Sequence, residues 1–372
     1  MKIRCTKERL VDGLNMVGRT VSTRTPLPIL ACILVTADEN GVRLTANDLE
    51  MSIETASFTA DVEKAGSVAL EARLFSEIVR KMPGEEIQIE TKENNETVCK
   101  SGKARFTIMG MPGDEFPIIP EVERGNGYTI PAKDLREMVR QTIFSVAAVD
   151  NDKPALTGEL IQYRDNALNM VAVDGFRISY RKLDLPEGTD EIPMSVVVPG
   201  KTLHELSRIV PGDSEEDITF YFTDKRIVFD MPQFTFASRL LEGEFVRYDQ
   251  IFNEDFTTNV TVDRQALLNG LERVTLVARE NKKSPVKLEI MEQSIVISSN
   301  TELGNAHDDV VAEVEGSTLE IAFNPRYLID ALRAIDEEKV VARFTTGLSP
   351  CIIRGQESDI AKYLILPLRL RG

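Results

Sequence analysis

Apolar residues recur at helical spacing in six segments of this 372-residue chain, and gather in short runs over the stretches between them. The i, i+3, i+4, i+7 pattern of a helix with one buried face is carried by Leu10, Leu14, Val17 and Val21, then by Leu74, Phe75, Ile78, Val79 and Met82. It returns at Leu135, Met138, Val139 and Ile143, and at Leu203, Leu206 and Val210. The last two copies are Leu267, Leu268, Leu271 and Val274, and Leu328, Ile329, Leu332 and Ile335. Pro131 and Pro325 stand near a first turn, where a missing N–H costs little. Pro83-Gly84 and Pro211-Gly212 stop the second and fourth segments. Between the segments, Ile87–Glu90 alternates apolar with polar residues, and Thr97–Lys100, Glu159–Arg164, Leu168–Val173, Ile218–Phe222, Arg226–Asp230 and Ile295–Ser299 are short runs rich in apolar and β-branched residues. Polar pairs such as Asn94-Asn95 and Asp165-Asn166 bound them, as expected of half-buried antiparallel strands.

Each helical segment opens with a basic residue just before its first leucine: Lys7, Arg73, Lys133, Lys201, Arg264 and Arg326, at intervals of 66, 60, 68, 63 and 62 residues. Regular self-similarity marks repeated supersecondary units. One helix buries the face of its own sheet poorly, so two units are expected to make a domain. The expectation is an α+β chain of three similar domains, each two helices plus antiparallel sheets, over 1–125, 128–249 and 253–372. Gly113-Asp114-Glu115-Phe116 and Glu242-Gly243-Glu244-Phe245, near the two boundaries, echo each other.

A net charge of −16 argues against nucleic acid until its distribution is examined. Windows 6–22, 71–82, 131–144, 199–210, 262–283 and 324–336 hold 18 Lys or Arg against 12 Asp or Glu, a net +6. The rest of the chain carries −22. Helix propensity favours Glu as much as Lys, so it explains this bias poorly. Helices sharing a positive surface would attract a phosphate backbone without reading sequence. Repeats in a line form an open array or close into a ring, and a homodimer of two crescents would have room for a duplex.

Cys5, Cys32, Cys99 and Cys351 lie far apart and read as reduced structural cysteines. With only His204 and His307, a histidine-rich metal site is excluded; no metal, cofactor or catalytic residue is expected. No apolar run approaches the roughly 18 residues of a membrane span. Met1–Thr6 lacks the apolar core of a signal peptide, so the expected location is cytoplasmic, with no membrane partner.

Three motifs in order carry a family resemblance: Leu27-Pro28-Ile29-Leu30 with Leu44-Thr45-Ala46-Asn47-Asp48-Leu49-Glu50; Val173-Asp174-Gly175-Phe176-Arg177-Ile178; and Tyr363-Leu364-Ile365-Leu366-Pro367-Leu368-Arg369-Leu370. Over its whole length the chain resembles the bacterial beta sliding clamps, the processivity subunits of replicative DNA polymerases. The resemblance implies the DNA clamp fold, closing into a head-to-tail dimeric ring around double-stranded DNA. It implies no catalysis, an ATP-driven clamp loader, and partners among the replicative polymerase and other clamp-motif proteins of replication and repair. Weak phosphate contacts spread over many helices would hold such a ring near the axis and still let it slide.

Carried over by position, the resemblance implies DNA contacts at Arg24 and Lys153, with Lys7, Arg73, Lys133, Lys201 and Arg264 as weaker candidates. It implies a peptide-binding cleft of Leu156, Val173, Gly175, Phe176, Arg177, Ile178, Phe245, Val246, Tyr248, Ile251, Leu364, Leu366, Pro367, Leu368 and Arg369, with apolar pockets and rim arginines. Phe176 and Val246 depart from the histidine and proline of the best-known member, which bears on pocket shape. The implied dimer interface sets Ile78, Met82, Phe106 and Ile108 against Leu276 and Val277. Two other readings compete. A nuclease would need a metal-binding acidic cluster, and Asp48 with Glu50 or Asp308 with Asp309 are only pairs. A protein-only scaffold would share the cleft but not the positive helices.

Overall fold

The computed structural model describes residues 1–372 except 23, 24, 26, 118–123, 126, 188, 190, 191, 253, 254, 279–284 and 370–372. All six helical segments form: α1 (Lys7–Val17), α2 (Ala72–Lys81), α3 (Ala132–Thr142), α4 (Gly200–Ile209), α5 (Arg264–Val274) and α6 (Pro325–Ala334). A strand leads into each with at most one residue between: Lys2–Thr6, Gly66–Glu71, Tyr128–Pro131, Ser195–Pro199, Thr258–Asp263 and Leu319–Phe323. The repeated unit therefore begins with a strand that turns directly into a helix.

The junction residue often caps. Glu71 accepts from the N–H groups of Arg73 and Leu74, Asp263 from Ala266 at 2.6 Å, and Asn324 from Arg326 at 3.1 Å. Each cap is worth about 1 kcal/mol. The apolar stripes face inward: Leu10, Leu14 and Val17 of α1, Phe75, Ile78 and Val79 of α2, and Leu328 and Leu332 of α6 are all buried. α1 packs on α2, and α5 on α6.

The described residues divide into two compact units, Met1–Lys133 with Glu205–Leu240, and Asp134–His204 with Leu241–Gly372. The cuts pass through α3 and α4, so the central third of the chain contributes to both. Continuous sheets are the reason. In the first unit the strand Met51–Thr55 pairs with Phe234–Arg239, fusing strands of the first and central thirds into one nine-stranded sheet. In the second unit Arg177–Asp184 pairs with Ala361–Ile365, fusing central and last thirds into a twelve-stranded sheet. A separate five-stranded sheet ends at the edge strand Ala104–Met109. Every pairing among the described residues is antiparallel.

Both joining strands begin with the same kind of turn. Asp48 Oδ1 accepts from Glu50 N and Met51 N, with Leu49 at φ +76° between them. Asp174 Oδ1 accepts from Phe176 N at 2.9 Å and Arg177 N at 3.0 Å, with Gly175 at φ +92°. Glycine takes this left-handed conformation freely; leucine at 49 pays roughly 1–2 kcal/mol, offset by the aspartate bonds and by Asn47 Oδ1, which accepts from Leu49 N at 2.6 Å. The strand Gly304–Gly316 was not expected from the alternation pattern. Its polar run Asn305-Ala306-His307-Asp308-Asp309 reads as loop.

Candidate partner-binding cleft and nucleic-acid interface

The cleft residues lie in the second unit. Leu156, Val173, Ile178, Tyr248 and Leu364 are buried in one apolar cluster, with Phe245 and Val246 packed against it. Ile178 and Leu364 face each other across the Arg177–Asp184 and Ala361–Ile365 ladder. Leu366 N donates to Phe176 O at 2.9 Å, extending that ladder by one step. Pro367 has no N–H to continue it. Leu368 N then donates to Ala322 O at 2.7 Å, drawing the tail towards the strand Leu319–Phe323. The sequence thus ends its last strand at Ile365 and leaves Leu366 and Arg369 exposed.

Phe176 is 56% exposed and Ile251 37%. Burial pushes the phenols of Tyr180 and Tyr248 up, that of Tyr180 to about 12. Both stay neutral, and their rings meet at 5.8 Å. Gly175 has open space where a Cβ would stand, so its role is the turn conformation rather than a close approach.

Arg177 corrects one expectation. It is buried rather than a free rim arginine, and its guanidinium is committed within the chain. Nε reaches Asp174 Oδ2 at 3.0 Å, Nη1 reaches Asp330 Oδ2 at 2.7 Å, and Nη2 donates to the Phe144 carbonyl. The same group lies over the rings of Phe144 (5.3 Å) and Tyr327 (4.5 Å). Tyr327 stacks on Phe176 at 6.4 Å. Phe144, Arg177, Tyr327 and Phe176 therefore form one column of flat groups, joined to α6 through Asp330. Tyr327 and Asp330 were not singled out in the sequence, where they read as positions on an amphipathic helix.

The six opening cations separate into two kinds. Lys7 and Arg264 are the first residues of their helices and turn inward. Lys7 Nζ donates to Met82 O at 2.7 Å, closing the end of α2. Arg264 donates to Glu337 O at 2.9 Å and Leu332 O at 3.4 Å, closing the end of α6. A cation is favourable at a helix C-terminus, where free carbonyls and the macrodipole are negative. Each is thus half-buried and holds a partner inside its own chain. Arg73, Lys133, Lys201 and Arg326 are second residues and are exposed. In the central repeat Ala132 holds the first position, and its N–H bonds Glu216 O at 2.9 Å, as Lys7 N bonds Glu85 O. Lys133 is thus one step out of register with Lys7. Lys153 is exposed beyond the short 3-10 turn Ile143–Ser145, its N–H bonded to Asn151 Oδ1 at 2.9 Å. Arg24 lies outside the described residues.

The expected dimer set also divides. Ile78 and Met82 are buried inside their own chain, at 4% and 1% exposure, and are core rather than interface. Phe106 and Leu276 are exposed, and Ile108 and Val277 half-buried. All four cysteines are free and buried, with Cys5 and Cys99 pushed up to about 12 by desolvation.

Paired strand–helix units, with sheets continued from one third of the chain into the next, define a protein of the DNA-clamp class. Family models for the DNA polymerase III beta subunit match residues 1–120 (N-terminal domain), 129–247 (central domain) and 249–369 (C-terminal domain). The chain belongs to this family, the bacterial beta sliding clamps. It is 36% identical to the beta sliding clamp of Bacillus subtilis, over 99% of this chain and all of that one. Among solved structures it is similar to a putative DNA polymerase III beta subunit from Eubacterium rectale, with a TM-score of 0.94, 41% identity and full coverage of both chains. It is likewise similar to the B. subtilis polymerase sliding clamp, with a TM-score of 0.95, 34% identity and full coverage of both.

Proposed function

We infer that this chain is a DNA sliding clamp for replication: a non-catalytic processivity factor that tethers DNA polymerase III and other clamp-binding partners. Its full-length membership of the beta subunit family carries this reading. The finer picture is a cytoplasmic homodimeric ring around double-stranded DNA, placed there by a clamp loader, with domains 1–125, 128–249 and 253–372. The exposed second-residue cations Arg73, Lys133, Lys201 and Arg326 recur at one register on α2, α3, α4 and α6, which suits weak contacts with a sliding phosphate backbone. Arg24 and Lys153 join them as further contacts.

Two open strand edges support the dimer. Among the described residues Ala104–Met109 pairs only with Glu96–Ser101. Among the described residues the first half of Gly304–Gly316 pairs only with Ser294–Thr301, since Thr258–Asp263 joins its other side from Ala312 onward. A groove of about 580 Å³ between that open edge and α5 is lined by Ala266, Asn269, Arg273, Asp309 and Val311. Lys103 and Arg105 at one edge complement Asp309 on the other, where Asp308 is already paired with Arg273 at 2.6 Å. Phe106, Ile108, Leu276 and Val277 then supply the apolar part.

Partner peptides dock at the cleft. Phe176, Ile251, Leu366 and Arg369 offer contact surface over the buried cluster, and Arg177 positions Phe176. Retention on DNA tests the whole reading. After loading, the protein should stay on circular duplex and leave linearised duplex by its ends; equal loss from both would refute encirclement.

A further inference from the structure

A pocket of about 270 Å³ opens beside Phe252 and Phe256, on the sheet face opposite α5 and α6. Its polar lining is Arg343, Arg354, Lys362 and Asp359. Arg354 stands directly across from Lys362 on the neighbouring strand, and Arg343 across from Ile352. Like charges facing each other across a ladder are destabilising. A chain of net charge −16 has no surplus of cations to distribute, so three on one face call for a counter-charge.

Little of that counter-charge is present. Asp359 is 3.1 Å from Lys362, and Lys182, the next cation on this face, is held by Asp184 at 3.0 Å. Arg354 donates through Nη1 to the carbonyls of Gly355, Gln356 and Ser358. Arg343 lies over the Phe256 ring at 5.5 Å, and its buried Nε has no hydrogen-bond partner among the described residues. A buried donor left unmade is costly.

We propose that this pocket binds a compact oxyanion, a carboxylate or a phosphate, on Arg343 and Arg354, with its stem against Phe252 and Phe256. Guanidinium groups make strong, directional bonds to both anions. The volume falls below the roughly 300 Å³ at which pockets for drug-sized ligands begin, so an Asp or Glu side chain of a partner protein, or free phosphate, fits and a nucleotide does not. The pocket borders the cleft, since Phe252 and Phe256 pack against the same buried cluster as Tyr248 and Leu364, but its cations are not cleft residues and it does not depend on encirclement of DNA.

Calorimetry on the full-length protein at fixed ionic strength tests it, using inorganic phosphate and a short capped alanine peptide with one central Glu. Binding of either is expected to weaken about tenfold or more in Arg343→Gln, a loss of one strong contact, and to be unchanged in Lys225→Gln, an exposed turn cation elsewhere. Arg354→Gln gives the same reading should Arg343→Gln fail to fold. The tighter of the two ligands identifies the source. No saturable binding of either, or binding indifferent to both arginine variants, overturns the proposal.

Discussion

Lys7 at the start of α1 donates to the carbonyl of Met82 at the end of α2, 2.7 Å away, and Arg264 of α5 does the same for α6. The first cation of these repeats is therefore a clip between paired helices. Lys7→Ala should lower the stability of the N-terminal part by about 1.5–3 kcal/mol, the worth of a charge-assisted hydrogen bond. Retention on circular DNA should be unchanged. Arg73→Ala should behave in the opposite way, since its side chain is 86% exposed. Urea unfolding and DNA retention of both variants check the distinction.

Arg177 holds the Phe144–Tyr327–Phe176 column and two carboxylates. Arg177→Ala leaves the largely buried Asp174 without its cation and Asp330 with only Arg326, 3.8 Å away, at a cost of about 3–5 kcal/mol. Arg177→Lys should not restore stability, because an ammonium cannot serve two carboxylates, a carbonyl and two ring faces together. Partner-peptide affinity should fall in both variants, as Phe176 loses the stack that orients it. Unfolding and fluorescence-detected peptide binding give the two readouts.

The six helices were legible because each carries its own apolar stripe, and most strands because an apolar run is a local signal. The two Asp-centred turns were legible as motifs, yet their meaning was not. Each launches a strand whose partner lies far along the chain: Met51–Thr55 meets Phe234–Arg239, and Arg177–Asp184 meets Ala361–Ile365. No local pattern encodes that pairing. The basic residue of each repeat was visible, but a shift of one position decides its role. Lys7 turns inward and Lys133 outward because one is first and the other second in its helix. Sequence alone makes Arg177 a rim arginine because its partners, Asp330 and Tyr327, lie on a helix remote in sequence.

Leu276 and Val277 sit beside an open strand edge, whereas Ile78 and Met82 fill their own domain. Leu276→Asp with Val277→Asp should yield monomers, seen by sedimentation at micromolar concentration. Ile78→Ala should instead cost about 2–4 kcal/mol of stability through a cavity and leave the dimer intact. A dimer that survived the double charge substitution would remove this face from the interface.

Glu159 is fully buried at the end of α3, where Thr142 Oγ1 lies within hydrogen-bond reach of both its carboxyl and the Met138 carbonyl. One hydroxyl proton cannot serve two acceptors. Both bonds form when the carboxyl is protonated and donates to Thr142, which donates to Met138 O. Desolvation accordingly raises Glu159 from its ordinary 4.5 to about 8. The folded state then holds a proton that the unfolded chain releases near pH 4.5, so this group's contribution to stability falls as pH rises from about 4.5 to 8 and levels off above. The swing amounts to a few kcal/mol. Glu159→Gln keeps an amide donor for Thr142 and cannot ionise, so it should flatten that slope and be the more stable form at pH 8. Unfolding curves from pH 5 to 9 would show the two profiles converging at the acid end; parallel profiles would mean that the carboxyl is ionised in the folded state.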